Sequence, residues 1–167
     1  LFGGYIRHLG VHYGRYWRAL PGKIRMNVGR AIKKLPRNEA LKRAVYSLDI
    51  AERMKRYEHV FALMPGYEID NLFHDDLLHV SMDDIVFDCW RDYSIMMEEV
   101  DELGGFQILE LYSSLPDELL MYADKMSMAH SLEVRVPYLD REIVEYVQRL
   151  PAEFKVKNGR GKWLHRQ

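Results

Sequence analysis

Six prolines cut the chain into helix-length pieces. Proline lacks a backbone N–H and its ring collides with the preceding turn, so it begins or ends helices rather than sitting inside them. Between Pro21 and Pro36, Ile24, Val28, Ile32 and Leu35 recur at helical spacing, with Lys23, Arg25, Arg30, Lys33 and Lys34 on the other side. Tyr13, Tyr16 and Trp17 mark the core side of an amphipathic helix over 11–20, ended by Pro21-Gly22. Asn38 is placed to cap the next helix, with Leu41, Val45 and Leu48 aligned. Another helical stretch covers 50–63 and is closed by Pro65-Gly66; its His59 reads as a surface or half-buried residue. Ser81 before Asp83 and Asp84 reads as a helix start, followed by Ile85, Val86, Cys89, Trp90 and Tyr93 at helix spacing.

Gly104-Gly105 is expected to break the pattern, and the apolar run 106–112 fits a strand or a buried helix. Pro116, Asp117 and Glu118 start a helix to about residue 130, with Leu119, Leu120, Ala123 and Met126 as its buried stripe. Pro137 holds Val136 extended, and Asp140 caps a helix bearing Ile143, Val144, Val147 and Leu150 before Pro151. Residues 155–162 are basic, contain Asn158, Gly159 and Gly161, and read as a mobile loop; Trp163 and Leu164 restart a helical pattern. The expected fold class is mainly α, with roughly seven or eight helices and little or no sheet.

Composition narrows the class. A chain of 167 residues that is 48% hydrophobic and 29% charged has a soluble globular balance. No apolar run reaches the roughly 18 residues of a membrane span, and no basic-then-apolar secretory leader opens the chain. The single cysteine, Cys89, fits a reducing compartment, and a cytoplasmic location is expected. Its acidic and apolar neighbours disfavour a reactive thiolate. The chain opens without Met and stops inside an apparent helix start, as a fragment cut at both ends would. Residues 1–60 carry 14 Lys/Arg against 4 Asp/Glu, whereas 61–167 carry 10 against 21. Such a split can mark a nucleic-acid arm, and aromatic residues beside Arg15 and Arg18 are a single-strand-binding recipe. The basic residues are interleaved with helix-spaced apolar ones, however, so either attraction between the two halves or a solvated basic face is expected, and nucleic acid is not. His74 and His79 lie about 140° apart around a helix and so share no face, and no further His or Cys ligand sits nearby, so no metal site is expected.

One stretch concentrates polar chemistry within an apolar run: Ala123-Asp124-Lys125-Met126-Ser127-Met128-Ala129-His130-Ser131-Leu132-Glu133-Val134-Arg135-Val136-Pro137-Tyr138-Leu139-Asp140. From Met126 onward it resembles the signature of the synthetase domain of glutamine-hydrolysing asparagine synthetases. Leu1-Phe2-Gly3-Gly4-Tyr5 resembles the end of that family's Ser-Gly-x-Gly-x-Asp-Glu-Leu-Phe-Gly-Gly-Tyr motif. Residues 114–120 resemble its Leu-Pro-Asp-Asp/Glu-Leu-Leu segment. Gly159-Arg160-Gly161-Lys162-Trp163-Leu164 resembles its Gly-x-x-Lys-x-x-Leu-Arg loop. These matches are in order and in register across essentially the whole chain.

The resemblance implies the helical C-terminal half of an α/β ATP pyrophosphatase, an adenine nucleotide alpha hydrolase-like synthetase domain. Residues 1–167 would be part of that single domain, truncated at both ends. The implied reaction activates a carboxylate such as aspartate as an acyl-adenylate, using ATP and Mg²⁺, for attack by ammonia from glutamine. The related alternatives are β-lactam synthetases, lasso-peptide cyclases and polysaccharide-modifying amidotransferases; a helical interaction module is the alternative outside enzymes. Lys162 matches the catalytic lysine, and fixed cations there would stabilise charge on the α-phosphate and the departing pyrophosphate. Tyr5 matches an aromatic position that β-lactam synthetases use in base catalysis, or it lines the pocket. Lys125 matches a usually basic position that binds phosphate or pairs with a carboxylate. Arg135 is a second substrate candidate, or pairs with Glu133 to hold the turn; His130 reads as a helix-end residue. Gly3, Gly4 and Gly161 are the implied nucleotide-binding glycines. The family's Ser-Gly-Gly-x-Asp-Ser loop is absent, as are the Asp-Glu before Leu1, with its Mg²⁺ ligand, and a glutaminase domain. Mg²⁺ ligands are therefore expected mostly outside these residues, and the piece alone is expected to be inactive. The family's Leu-Arg-Glu reads Leu164-His165-Arg166-Gln167, with the Glu lost. The implied partners are small-molecule substrates, the remainder of the same chain and, as a candidate, a second copy.

Overall fold

The structure is a computed structural model that describes residues 1–62, Leu72 and 88–167. The expected Pro65-Gly66 stop, His74, Asp75, Asp76, His79, the Ser81 cap, Ile85 and Val86 lie outside these residues. The described part is mainly helical, as expected, and forms two compact units, Leu1–His12 with Ile95–Gln167, and Tyr13–Ser94. Among the described residues no helix is long and apolar enough to cross a membrane.

Helix α1 (Ile6–Ala19) supplies residues to both units. In the second unit it is followed by α2 (Gly22–Lys33), α3 (Glu39–Leu48) and α4 (Arg53–Phe61). Asn38 stands at the start of α3, but its side chain makes no capping bond. The turn from α3 into α4 is instead tied by Arg56. Its buried guanidinium donates to the carbonyls of Ile50 at 2.5 Å and Ala51 at 2.9 Å. Those acceptors lie just beyond the helix end, where carbonyls lack an intrahelical partner. Tyr57 is fully buried and its hydroxyl accepts from Arg53 Nε at 2.7 Å. His59 is half-buried, as expected, with its ring edge-on to Tyr46. A 3₁₀ turn, Asp88–Tyr93, exposes Cys89 and buries Trp90, which packs edge-on to Phe61.

The first unit is built around α6 (Glu102–Tyr112), preceded by the short α5 (Ser94–Glu98). The run 106–112 is thus a buried helix, not a strand. Gly104-Gly105 does not break it. Asp101 caps this helix by accepting from Gly104 N–H, and a Cβ on Gly104 would meet Val100 Cβ at 3.2 Å. Small residues there let the cap fold back closely. Leu103, Phe106 and Leu109 are essentially inaccessible and share a core with Val11, Met97, Val147 and Val156.

A one-turn π-helix, Leu115–Leu120, runs into α7 (Met121–Met128), with no buried residue in either. The stripe expected to be buried is half-exposed at Leu120 and exposed at Leu119, Ala123 and Met126. Helical spacing reveals an apolar face but not what covers it, and among the described residues nothing covers this one. Helix α8 (Arg141–Arg149) is capped as expected: Asp140 accepts from Glu142 N–H at 2.9 Å. After α9 (Ala152–Lys155) comes the largest departure from expectation. Residues 155–162 form no irregular loop. Strands β1 (Val156–Lys157) and β2 (Arg160–Gly161) pair antiparallel. They are joined by Asn158 at φ 51° and Gly159 at φ 70°. Two consecutive left-handed residues make the turn whose twist suits a two-residue hairpin, and Asn-Gly favours it.

Phe106→Ala is expected to cost about 3–5 kcal/mol by urea denaturation of the 1–167 chain, because it leaves a cavity in a closed core. Met126→Ala in the same chain should change stability by less than about 0.5 kcal/mol.

Candidate functional site

The hairpin and the first five residues are pressed together at backbone level. Lys162 N–H donates to Phe2 O at 3.0 Å, continuing the hairpin's hydrogen bonding onto the N-terminal segment. Gly161 faces the Gly3 carbonyl so closely that a Cβ would overlap that oxygen, and a Cβ on Gly4 would overlap Lys162 Cε. Gly3 has φ +68°, and a Cβ there would meet Val156 Cγ2 at 2.9 Å. Gly3 and Gly161 are therefore required by a specific backbone conformation or close approach, whereas at Gly4 a side chain would displace only the flexible end of Lys162. The aliphatic stem of Lys162 lies on Gly4, and its amine forms no ion pair among the described residues. Lys162 itself has φ 54°, a conformation that costs a non-glycine residue of order 1 kcal/mol.

Aromatic packing joins a third motif to these two. The Phe2 ring is edge-on to Tyr138 at 5.9 Å and tilted against His165 at 5.3 Å, while Tyr138 and His165 meet at 5.5 Å. Segments 1–5, 137–139 and 161–165 thus converge on one cluster. Tyr5 is half-exposed, with the Arg7 guanidinium over its ring at 4.8 Å and His8 edge-on at 5.5 Å.

Behind this segment lies a buried polar network that the sequence did not single out. Gln107 Nε2 donates to Leu1 O at 2.7 Å, and Lys155 Nζ donates to Gln107 Oε1 at 3.1 Å. Glu110, one helical turn on from Gln107, accepts from Arg7 Nε at 2.7 Å and meets His8 Nε2 at 2.5 Å. His8 Nδ1 accepts from Tyr5 N–H at 3.3 Å, which leaves the ring hydrogen on Nε2, aimed at the carboxylate. One available signal was a Gln and a Glu three apart on a helix otherwise dense in apolar residues.

Burial would push the Glu110 carboxyl up, but its hydrogen bond from His8 and the fields of His8 and Arg7 outweigh that, leaving it below the usual range. Lys155 is held below the usual lysine range by burial, which Asp101 only partly opposes.

The remaining candidates stand apart from this cluster. Lys125 is exposed on α7. Arg135 is exposed and pairs with Glu133 at 2.6 Å, the geometry of the turn-holding alternative. Among the described residues neither makes a hydrogen bond or ion pair with Lys162 or the glycines. His130 lies just beyond α7 and is exposed. Among the described residues no three His, Cys, Asp or Glu side chains cluster as a metal site.

The family model described as asparagine synthase matches residues 1–167, and the chain belongs to that family, whose synthetase domain is adenine nucleotide alpha hydrolase-like. A putative glutamine-hydrolysing asparagine synthetase of Mycobacterium bovis is 30% identical over 169 residues, covering 100% of this chain and 25% of the relative. A glutamine-hydrolysing asparagine synthetase of Bacillus subtilis is 34% identical over 80 residues, 48% of this chain and 13% of the relative. That of Gallus gallus is 47% identical over 71 residues, 42% and 12% respectively. The chain thus spans a quarter or less of these relatives. No solved structure gives a significant match.

Two outcomes check this geometry. Gly159→Ala, where a Cβ meets nothing, should cost only the backbone strain of about 1 kcal/mol. Gly161→Ala should cost more and shift the Lys162 amide resonance, because the Gly3 carbonyl must move. The second outcome concerns acid. Because the Glu110 carboxyl is held below its ordinary range, it contributes stability that is present above the usual glutamate value of about 4.3 and is lost as pH falls through the lower folded value. Glu110→Gln should flatten the stability profile in that acid window.

Proposed function

We propose that the chain is part of the synthetase domain of an ATP-dependent amidoligase of the glutamine-hydrolysing asparagine synthetase type. The clamp that sets the Lys162 stem on Gly4 is the observation that carries this reading. In the proposed reaction a substrate carboxylate oxygen bonds to the α-phosphorus of ATP. The bond from that phosphorus to the bridging oxygen breaks, and pyrophosphate leaves. Ammonia released from glutamine then bonds to the acyl carbon, and AMP departs. Aspartate is the proposed carboxylate, and the cytoplasm the proposed location.

The residues present fit the phosphate end of that chemistry. Gly4 is exposed and carries no side chain, so its backbone can approach an anion there. Lys162 brings a cation that makes no ion pair among the described residues, on a backbone fixed by its bond to Phe2 O. A charge held in place before reaction stabilises developing negative charge without reorganising. Tyr5 is proposed to line the substrate side, held by its N–H bond to His8. Lys125 and Arg135 are proposed as outer contacts of the same substrates. Mg²⁺ is proposed to be held by residues outside those described, and no step here depends on it.

In the intact protein, Lys162→Ala should reduce ATP- and aspartate-dependent pyrophosphate release by at least about a hundredfold, the scale of losing one charge-stabilising group. Lys162→Gly should do the same while leaving thermal stability equal or higher, since glycine accepts the left-handed backbone at no cost. Wild-type rates in either variant would remove Lys162 from the mechanism.

A further inference from the structure

We propose that the cleft between α2 and α3 binds a small organic phosphomonoester carrying a planar, apolar body. The cleft has a volume of about 550 Å³, within the range of roughly 300–1,000 Å³ typical of small-molecule sites. It lies wholly within the Tyr13–Ser94 unit and does not depend on the adenylation reading.

Its lining separates into charge and apolar surface. Arg25, Arg30, Lys33 and Lys42 line the cleft, and among the described residues Asp49 is the one acid that does so. That acid is already engaged: its Oδ1 accepts from Trp17 Nε1 at 3.2 Å and pairs with the Arg25 guanidinium. Arg30 and Lys33 have no ion pair among the described residues. Arg25 Nε is buried without a hydrogen-bond partner. Met26, Ile32, Val45 and Ile50 form the apolar lining, with Trp17 and Tyr46 as aromatic surface.

The charge pattern selects the ligand. Several separated cations around one concavity suit a group with oxygens pointing in several directions and nearly two negative charges, which a phosphomonoester provides and a lone carboxylate does not. The apolar and aromatic lining suits a flat hydrocarbon or heteroaromatic body. A nucleic-acid strand is less well matched, because the cations surround a hollow and do not line a track.

Gly29 keeps the hollow open. A Cβ there would meet only Val45 Cγ1, at 3.8 Å, although glycine inside a helix costs of order 1 kcal/mol relative to alanine. Gly29→Leu therefore fills the cleft without a clash at Cβ and strengthens α2, so loss of binding could not be ascribed to unfolding.

The test is calorimetric titration of the intact protein at low salt with 1-naphthyl phosphate, 1-naphthol and inorganic phosphate. The naphthyl phosphate should bind at least tenfold more tightly than either part alone. Gly29→Leu and the double variant Arg30→Glu with Lys33→Glu should each weaken it at least tenfold with no fall in thermal midpoint. No binding to the wild type at millimolar concentration, or equal binding by Gly29→Leu, would overturn the proposal. So would tight binding of a single-stranded oligonucleotide that Gly29→Leu leaves unchanged, since that would make the basic face a nucleic-acid surface.

Discussion

Everything at the candidate site hangs on one backbone approach, that of Gly161 to the Gly3 carbonyl. No side chain fits at position 161, so the hairpin can lie directly on the first residues and place the Lys162 N–H on Phe2 O. The approach fixes a main chain to a main chain, and side-chain rotamers do not loosen it. The lysine's long stem is then supported from below by Gly4, while its charged end extends beyond. Absence of a side chain at position 161 thus achieves what an additional contact could not.

A clamp this close needs both sides held from behind, and the buried polar network does so unevenly. Gln107 bridges the two sides, donating to Leu1 O and accepting from Lys155 next to the hairpin. Lys155 is an expensive member: its ammonium is out of water, and burial accordingly favours its neutral form. Glu110 is the opposite case. It too is buried, yet two donors more than offset the desolvation, so the carboxylate form is favoured. Groups of this kind are weak sources of net stability and strong sources of a single arrangement. Here that arrangement is the position of Tyr5, whose N–H is fixed through His8 to a carboxylate on α6.

Helix positions were legible wherever proline, glycine or an Asx cap set a boundary, as at Pro21, Asp140 and Pro151. The same rule misread Gly104-Gly105, where the glycines accommodate a folded-back cap. The hairpin carried its own signal in Asn158-Gly159, obscured by weighing the stretch as basic and glycine-rich overall. The glycines and Lys162 were found through motif resemblance, and the structure supplies the steric reason for Gly3 and Gly161. The network was not legible, because its key bond joins His8 to Glu110 across 102 residues. Spacing within one helix says nothing about a partner that far away. Nor could the stripe of 119–126 be assigned an inside from its period, since an apolar face is visible in sequence whether or not its cover is present.

That stripe leads into the long signature, and the two share an unusual property. Met126, Met128, Leu132, Val134, Val136 and Tyr138 are all substantially exposed, whereas the core of the same unit is closed around Phe106. Packing inside this unit therefore does not account for those apolar side chains. Tyr138 is the partial exception, tied by its ring to Phe2 and His165. An exposed apolar patch of this extent is more than scattered surface hydrophobics explain. The proposed placement within a larger synthetase domain supplies a reason: further chain would cover the stripe. On that proposal the signature would meet a surface supplied by the rest of the domain. Tyr138 alone then reaches back to register that surface against the lysine-bearing hairpin.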